Sequence, residues 1–138
     1  MTALSTQFEF RINTGSFTST SVSIPSAAVA PDGSNNFYSI SQPGDGYYSL
    51  SDGLHTVTYT VNNAFQGNVG MQATLATEPQ TYDWFTVTNT VIAYIANTAT
   101  GLTTTTNYVN FTGNFVYVRA TVQRVANNGT VYFINYNH

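Results

Sequence analysis

General acid–base, nucleophilic or metal chemistry needs titratable groups that converge. This 138-residue chain offers two histidines, six acids, three arginines, no lysine and no cysteine. His138 is the last residue, which leaves His55 as the one credible base or ligand. His55 opens a Thr/Val/Tyr stretch and shares the parity of Val57 and Tyr59, so it reads as a satisfied imidazole at the edge of a core, histidine being intermediate in burial. Glu78 and Asp83 flank Pro79 and would suit glycoside hydrolysis only if they faced each other across a cleft. The expectation is instead that one of them pairs with Arg119 or Arg124, since a strand arginine on a low-charge sheet gains from a bidentate carboxylate. Asp45 and Asp52 lie in neighbouring Gly-rich turns, where carboxylates gather Ca²⁺ with backbone carbonyls. Their spacing matches no dedicated calcium loop, and Asp before Gly is ordinary turn chemistry. No phosphate-binding glycine loop, HExxH, GxSxG or Cys/His cluster occurs, so the expectation is no catalytic, cofactor or metal site.

Aromatic residues carry the remaining chemistry. Trp84 and Phe85, with Tyr47, Tyr48 and Tyr82, are the side chains on which a sugar ring would stack, and Tyr47, Tyr48, Asp52 and Trp84 are the candidate surface contacts. The competing and favoured reading has Trp84 plugging the core while the tyrosines keep their hydroxyls wet. Asn110-Phe111-Thr112 and Asn128-Gly129-Thr130 satisfy the N-glycosylation pattern, as chance allows in a Thr- and Asn-rich chain.

The elements that must position these residues read as strands. Thr and aromatics suit a pleated, half-buried surface, and the strong helix formers Glu, Lys and Arg are scarce. Period-two alternation places Phe8, Phe10 and Ile12 on one face, and likewise Val57, Tyr59 and Val61. Val69, Met71, Ala73 and Leu75 follow the same rule, as do Val116, Val118, Ala120 and Val122, opposite Tyr117, Arg119, Thr121 and Gln123. Residues 91–96 form a continuous apolar run, read as a strand covered on both faces in preference to a short helix. Asn127, Asn128 and Gly129 predict a type I′ turn joining the last two strands as a hairpin. Other breaks at Pro31-Asp32-Gly33, Pro43-Gly44-Asp45-Gly46, Asp52-Gly53 and residues 98–106 give roughly eight to ten strands. Short, regular spacing of this kind predicts an all-β, antiparallel sandwich or jelly roll, one domain over residues 1–138, with 14–36 a long loop, an arm or weak edge strands.

Charge narrows the partners. Only 7% of residues are charged and the formal net charge is −3, which leaves no basic footprint for nucleic acid or anionic lipid. Aromatics at 14% argue against disorder. No apolar run approaches the ~20 residues that span a bilayer as a helix, and the N-terminal residues lack a secretory pattern, so folding in the cytoplasm without disulfides is expected. A neutral polar exterior suits a protein packed among copies or partners, because charge is what keeps solitary molecules apart.

Three stretches, GYYSLSDGLHTVTYT from Gly46, QATLATEPQTYDWF from Gln72 and FTGNFVYVRATV from Phe111, together resemble the small virion structural proteins of tailed bacteriophages, above all those infecting cyanobacteria. The resemblance covers about two-thirds of the chain and little of its first 40 residues. It implies a galactose-binding-like or jelly-roll sandwich, synthesis in the host bacterial cytoplasm, a place in the virion, and no catalytic motif. Capsid decoration, tail or neck fibre and baseplate attachment all stay open. The leading reading is thus a non-enzymatic virion subunit, in contact with other virion proteins and with copies of itself, a trimer among the cyclic forms. The alternative is a carbohydrate-binding module that adheres to a host-surface glycan. Hydrolysis by Glu78 and Asp83 is the least favoured.

Overall fold

In the longest strands, alternate residues are Val, Tyr, Ile or Ala, and their burial follows that alternation. A computed structural model describes residues 5–15, 17–47, 53–62, 64–95, 104–125 and 129–137. Among them the strands are β1 (Ser5–Gln7), β2 (Phe10–Thr14), β3 (Phe17–Ser21), β4 (Asn36–Tyr38), β5 (Gln42–Pro43) and β6 (Leu54–Asn62). After these come β7 (Gly67–Thr74), β8 (Phe85–Thr86), β9 (Ile92–Tyr94), β10 (Thr104–Thr112), β11 (Tyr117–Arg124) and β12 (Val131–Asn137). A 3-10 turn, Thr81–Asp83, precedes β8. Several strands are only two or three residues long, which is why turn spacing alone predicted fewer.

One sheet runs β1-β12-β6-β10; the other runs β4-β11-β7-β8, with β5 also on β11 and β9 also on β7. All the pairings are antiparallel. Val57, Tyr59, Val61, Ile134 and Tyr136 from the first sheet meet Val69, Met71, Ala73, Val118, Ala120 and Val122 from the second in one core. The architecture is an all-β antiparallel sandwich. Each Val, Ile or Met among them removed from water contributes about 1.5–3 kcal/mol, which a chain without disulfides requires.

The N-terminal part adds a hairpin, β2 on β3. The chain beyond it folds back onto both: Ile24 bridges Val131 of the sandwich, Val29 bridges Asn13 of the hairpin, and Ile24, Ala28 and Ala30 are buried.

Three expectations are corrected. Strands β11 and β12 lie in different sheets, so the segment between them crosses the sandwich and closes no hairpin. Asn127 and Asn128 fall outside the described residues. Gly129 does take a positive φ of 81°, and a Cβ there would lie 2.3 Å from the Phe65 backbone nitrogen, so glycine serves a close crossing of two chain segments. Leu75 follows the end of β7 and is 65% exposed, because the alternation outlives the pairing by one residue. In the 91–96 run, Ile92–Tyr94 is a strand at a sheet edge with Ala93 exposed, so only one face is covered.

Candidate functional site

Trp84 and Phe85 are consecutive and extended, so their side chains diverge. Phe85 lines a groove bounded by β6 and β10 on one side and by β8 and the turn after it on the other. Trp84 lies half-buried beside Arg119 of β11 and does not plug the core as the sequence suggested. The reason lies in register: Arg119 pairs with Gln72, Gln72 pairs with Thr86, and this row leaves a guanidinium for the indole to cover.

The groove has a volume of about 760 Å³. Its apolar surface comes from Phe85, Phe111 and Phe115 together with Leu54 and Val87. Phe85 meets Phe115 edge-to-face at 5.7 Å, Phe111 stacks on His55 at 4.8 Å, and Tyr136 lies 5.6 Å behind the imidazole. His55 is buried and its nitrogens are engaged at both ends. The Gly113 carbonyl, 2.7 Å from Nε2, accepts only, so Nε2 carries the proton; Nδ1 then accepts from the Tyr136 hydroxyl at 2.8 Å. The imidazole therefore holds the aromatic cluster in place, at the core's edge as its parity predicted. Burial, with the Asp45 charge adding to it, pushes the Tyr136 phenol above its ordinary range, so it stays a donor.

Amides and hydroxyls complete the lining: Asn89, Asn110 and Asn137, with Thr56, Thr86, Thr88 and Thr112. Asn110 accepts from Thr56 Oγ1 at 2.7 Å, which fixes its amide orientation. Asn89 adopts φ 67°, a conformation asparagine tolerates, on a turn anchored from below. There Thr90 Oγ1 donates to the Val87 carbonyl at 2.7 Å and Tyr59 donates to the Thr90 carbonyl at 3.0 Å. None of the described lining residues is Asp, Glu, Lys or Arg. The lining can stack on an apolar ring face and exchange hydrogen bonds with neutral hydroxyls.

The residues singled out in the sequence are distributed as follows. Tyr47 is 52% exposed and packs on Tyr117 at 5.6 Å; Tyr117 is two residues from Arg119 on the same face of β11, so Tyr47 and Trp84 border one surface. Tyr48 and Asp52 lie outside the described residues. Asp45 is buried and accepts from the Gly53 amide at 3.1 Å, a turn role. Among the described residues no three His, Cys, Asp or Glu side chains gather for a metal. Asp83 closes its own 3-10 turn by accepting from the Gln80 amide at 2.8 Å.

The expected pairing of Glu78 or Asp83 with Arg119 or Arg124 is corrected. Arg119 Nε donates to Gln72 Oε1 at 2.8 Å, directly across the register. Arg124 is buried and donates to the carbonyls of Pro25, Ala28 and Gly129 and to Asn35. Phe85 was visible as an aromatic beside Trp84. Phe115, Asn89 and Asn110 were missed as site residues, and their only signal was an amide or aromatic in a segment between strands or at a strand end.

No protein-family model matches the chain, and no curated protein matches its sequence. Among solved structures, the C-terminal CBM6 of LamC, a marine laminarinase from Zobellia galactanivorans, is similar with a TM-score of 0.47 and 12% identity, over 97% of this chain and 99% of that one. A family 29 carbohydrate-binding module, CBM29_1 from Piromyces equi, is similar with a TM-score of 0.45 and 13% identity, over 100% of this chain and 93% of that one.

Proposed function

We propose that the protein is a non-enzymatic binding module whose groove takes an uncharged saccharide. The observation that carries this reading is the lining itself, in which Phe85, Phe111 and Phe115 lie among Asn and Thr side chains with no described ionisable acid or base other than the engaged His55. Sugars present apolar C–H faces and many neutral hydroxyls, which aromatic rings and fixed amides match. A charged groove would desolvate its ions against such a ligand without compensation. Calorimetric titration with a panel of neutral oligosaccharides tests the reading. Phe85→Ala, which removes a 43% exposed ring, is expected to weaken binding about tenfold, the loss of about 1.4 kcal/mol of stacking. If no neutral oligosaccharide binds at millimolar concentration, the reading fails.

A second reading, multi-copy assembly in a virion, is favoured by a separate observation. Large apolar side chains stand far into solvent, among them Phe17 at 76%, Tyr82 at 84%, Ile95 at 86% and Tyr108 at 68% exposure. Surface of that kind suits burial against neighbours, and it agrees with the resemblance to phage structural proteins. The two readings join in an adhesive subunit of a particle. Mass in solution and the protein content of purified particles test the second: a strict monomer absent from virions excludes it.

A further inference from the structure

The three arginines are the whole cationic side-chain inventory apart from the two histidines. One of them, Arg124, is consumed by interior carbonyls. The other two, Arg11 and Arg119, line one concavity of about 350 Å³, separate from the groove. Such convergence is not expected of a surface where 7% of residues are charged.

Arg119 is held in a way that leaves its outer edge for a ligand. Its guanidinium carbon lies 4.5 Å from the Tyr38 ring centroid and 4.3 Å from that of Trp84. Nε is fixed by Gln72 Oε1, while the two terminal nitrogens donate to no described residue. Among the described residues no carboxylate forms an ion pair with Arg11 or Arg119, and Glu9, two residues before Arg11, is no exception. Aromatic faces and a fixed Nε orient the plane, and a planar fork of N–H donors meets an oxyanion in two parallel hydrogen bonds. Partial burial pulls the Arg119 pKa below its ordinary value, an unfavourable desolvation that an incoming anion offsets.

We infer that the Arg11–Arg119 pocket is a second binding site, for a single oxyanion, a carboxylate or a sulfate ester, borne on a saccharide. Arg119 grips the oxyanion edge-on and Arg11 adds the second positive charge. Ser41 and Tyr38 line the same concavity, and their hydroxyls would be the partners for the remaining sugar hydroxyls. The net charge of −3 disfavours dense polyanions such as nucleic acid or an anionic membrane, so a sparsely charged ligand fits best. This site is independent of the groove, and either can exist without the other.

Trp84 is the only tryptophan, so its fluorescence reports on this pocket directly. The intact protein is titrated with a glucuronate-bearing disaccharide, glucose 6-sulfate, neutral glucose and maltose, inorganic sulfate, and an N-acetylated Asp-Asp peptide. The expected result is a saturable change with one or both acidic sugars, none with the neutral ones, and about tenfold weaker binding at high salt. Arg119→Gln is expected to abolish the response, Arg11→Gln to weaken it about fivefold, and Arg119→Lys, which keeps charge but lacks the fork, not to restore it. Circular dichroism confirms that each variant folds, and Arg11→Gln, at an exposed position, keeps the test valid if Arg119→Gln does not. Equal responses to acidic and neutral sugars, wild-type affinity in both Gln variants, or a response to inorganic sulfate or the peptide as strong as to the acidic sugars would overturn the assignment. Neutral-saccharide binding in the groove is expected to survive Arg119→Gln, so the two proposals fail separately.

Discussion

Arg124 is 5% exposed and has three backbone carbonyls and an asparagine as partners, with no described carboxylate among them. Its guanidinium stitches residues 25–35 to the far end of β11. Arg124→Met is expected to destabilise the fold by about 3 kcal/mol, since the buried carbonyls of Pro25, Ala28 and Gly129 lose their donors. Urea unfolding measures this, and a loss below ~1 kcal/mol would mean that water replaces the guanidinium. Tyr59 and Tyr136 are buried phenols held above the ordinary value of 10.0. A raised folded-state value means that stability is complete below about pH 10 and falls as pH rises above it, because only the unfolded tyrosines then ionise. By about pH 11 each contributes a loss of about 1.4 kcal/mol relative to neutral pH, and Tyr136→Phe is expected to show a shallower decline than wild type. Identical slopes for the two proteins would show that Tyr136 ionises freely in the folded state.

At the scale of elements, alternation told which side chains point inward but not which sheet a strand joins. Val118, Ala120 and Val122 were legible as core, as were Val57, Tyr59 and Val61. Nothing in either triplet says that β11 pairs β7 while β12 pairs β6, and a Gly-containing turn reads alike whether it closes a hairpin or crosses between sheets. Gly129→Val distinguishes the two. In a hairpin the damage would stay local; at a crossing packed on the Phe65 backbone it reaches both sheets. The expected outcome is a loss of about 2–4 kcal/mol, with amide exchange accelerating in β6 and β7 alike. Acceleration confined to β11 and β12 would restore the hairpin. The arginine partners were illegible for a related reason, since a carbonyl oxygen is available at any residue type and leaves no mark in sequence.

At the scale of the whole molecule, the groove draws on β6, on β8 and the turn after it, on β10, and on Phe115 and Asn137. These segments lie between residues 54 and 137, so aromatic content suggested sugar contact while the residues that make the site stayed scattered. Tyr47 and Trp84, picked for their ring faces, belong to the surface around Arg119 instead. The neutral exterior read from composition persists at the groove, and the few cations are concentrated away from it. Backbone amide shifts recorded during titration with a neutral oligosaccharide that binds are the most direct test of the central claim. The account predicts that perturbations cluster at residues 54–56, 85–89 and 110–115, and that in Phe85→Ala they need about tenfold more ligand to reach the same size. Shifts confined to other surfaces, or undiminished in that variant, would contradict it.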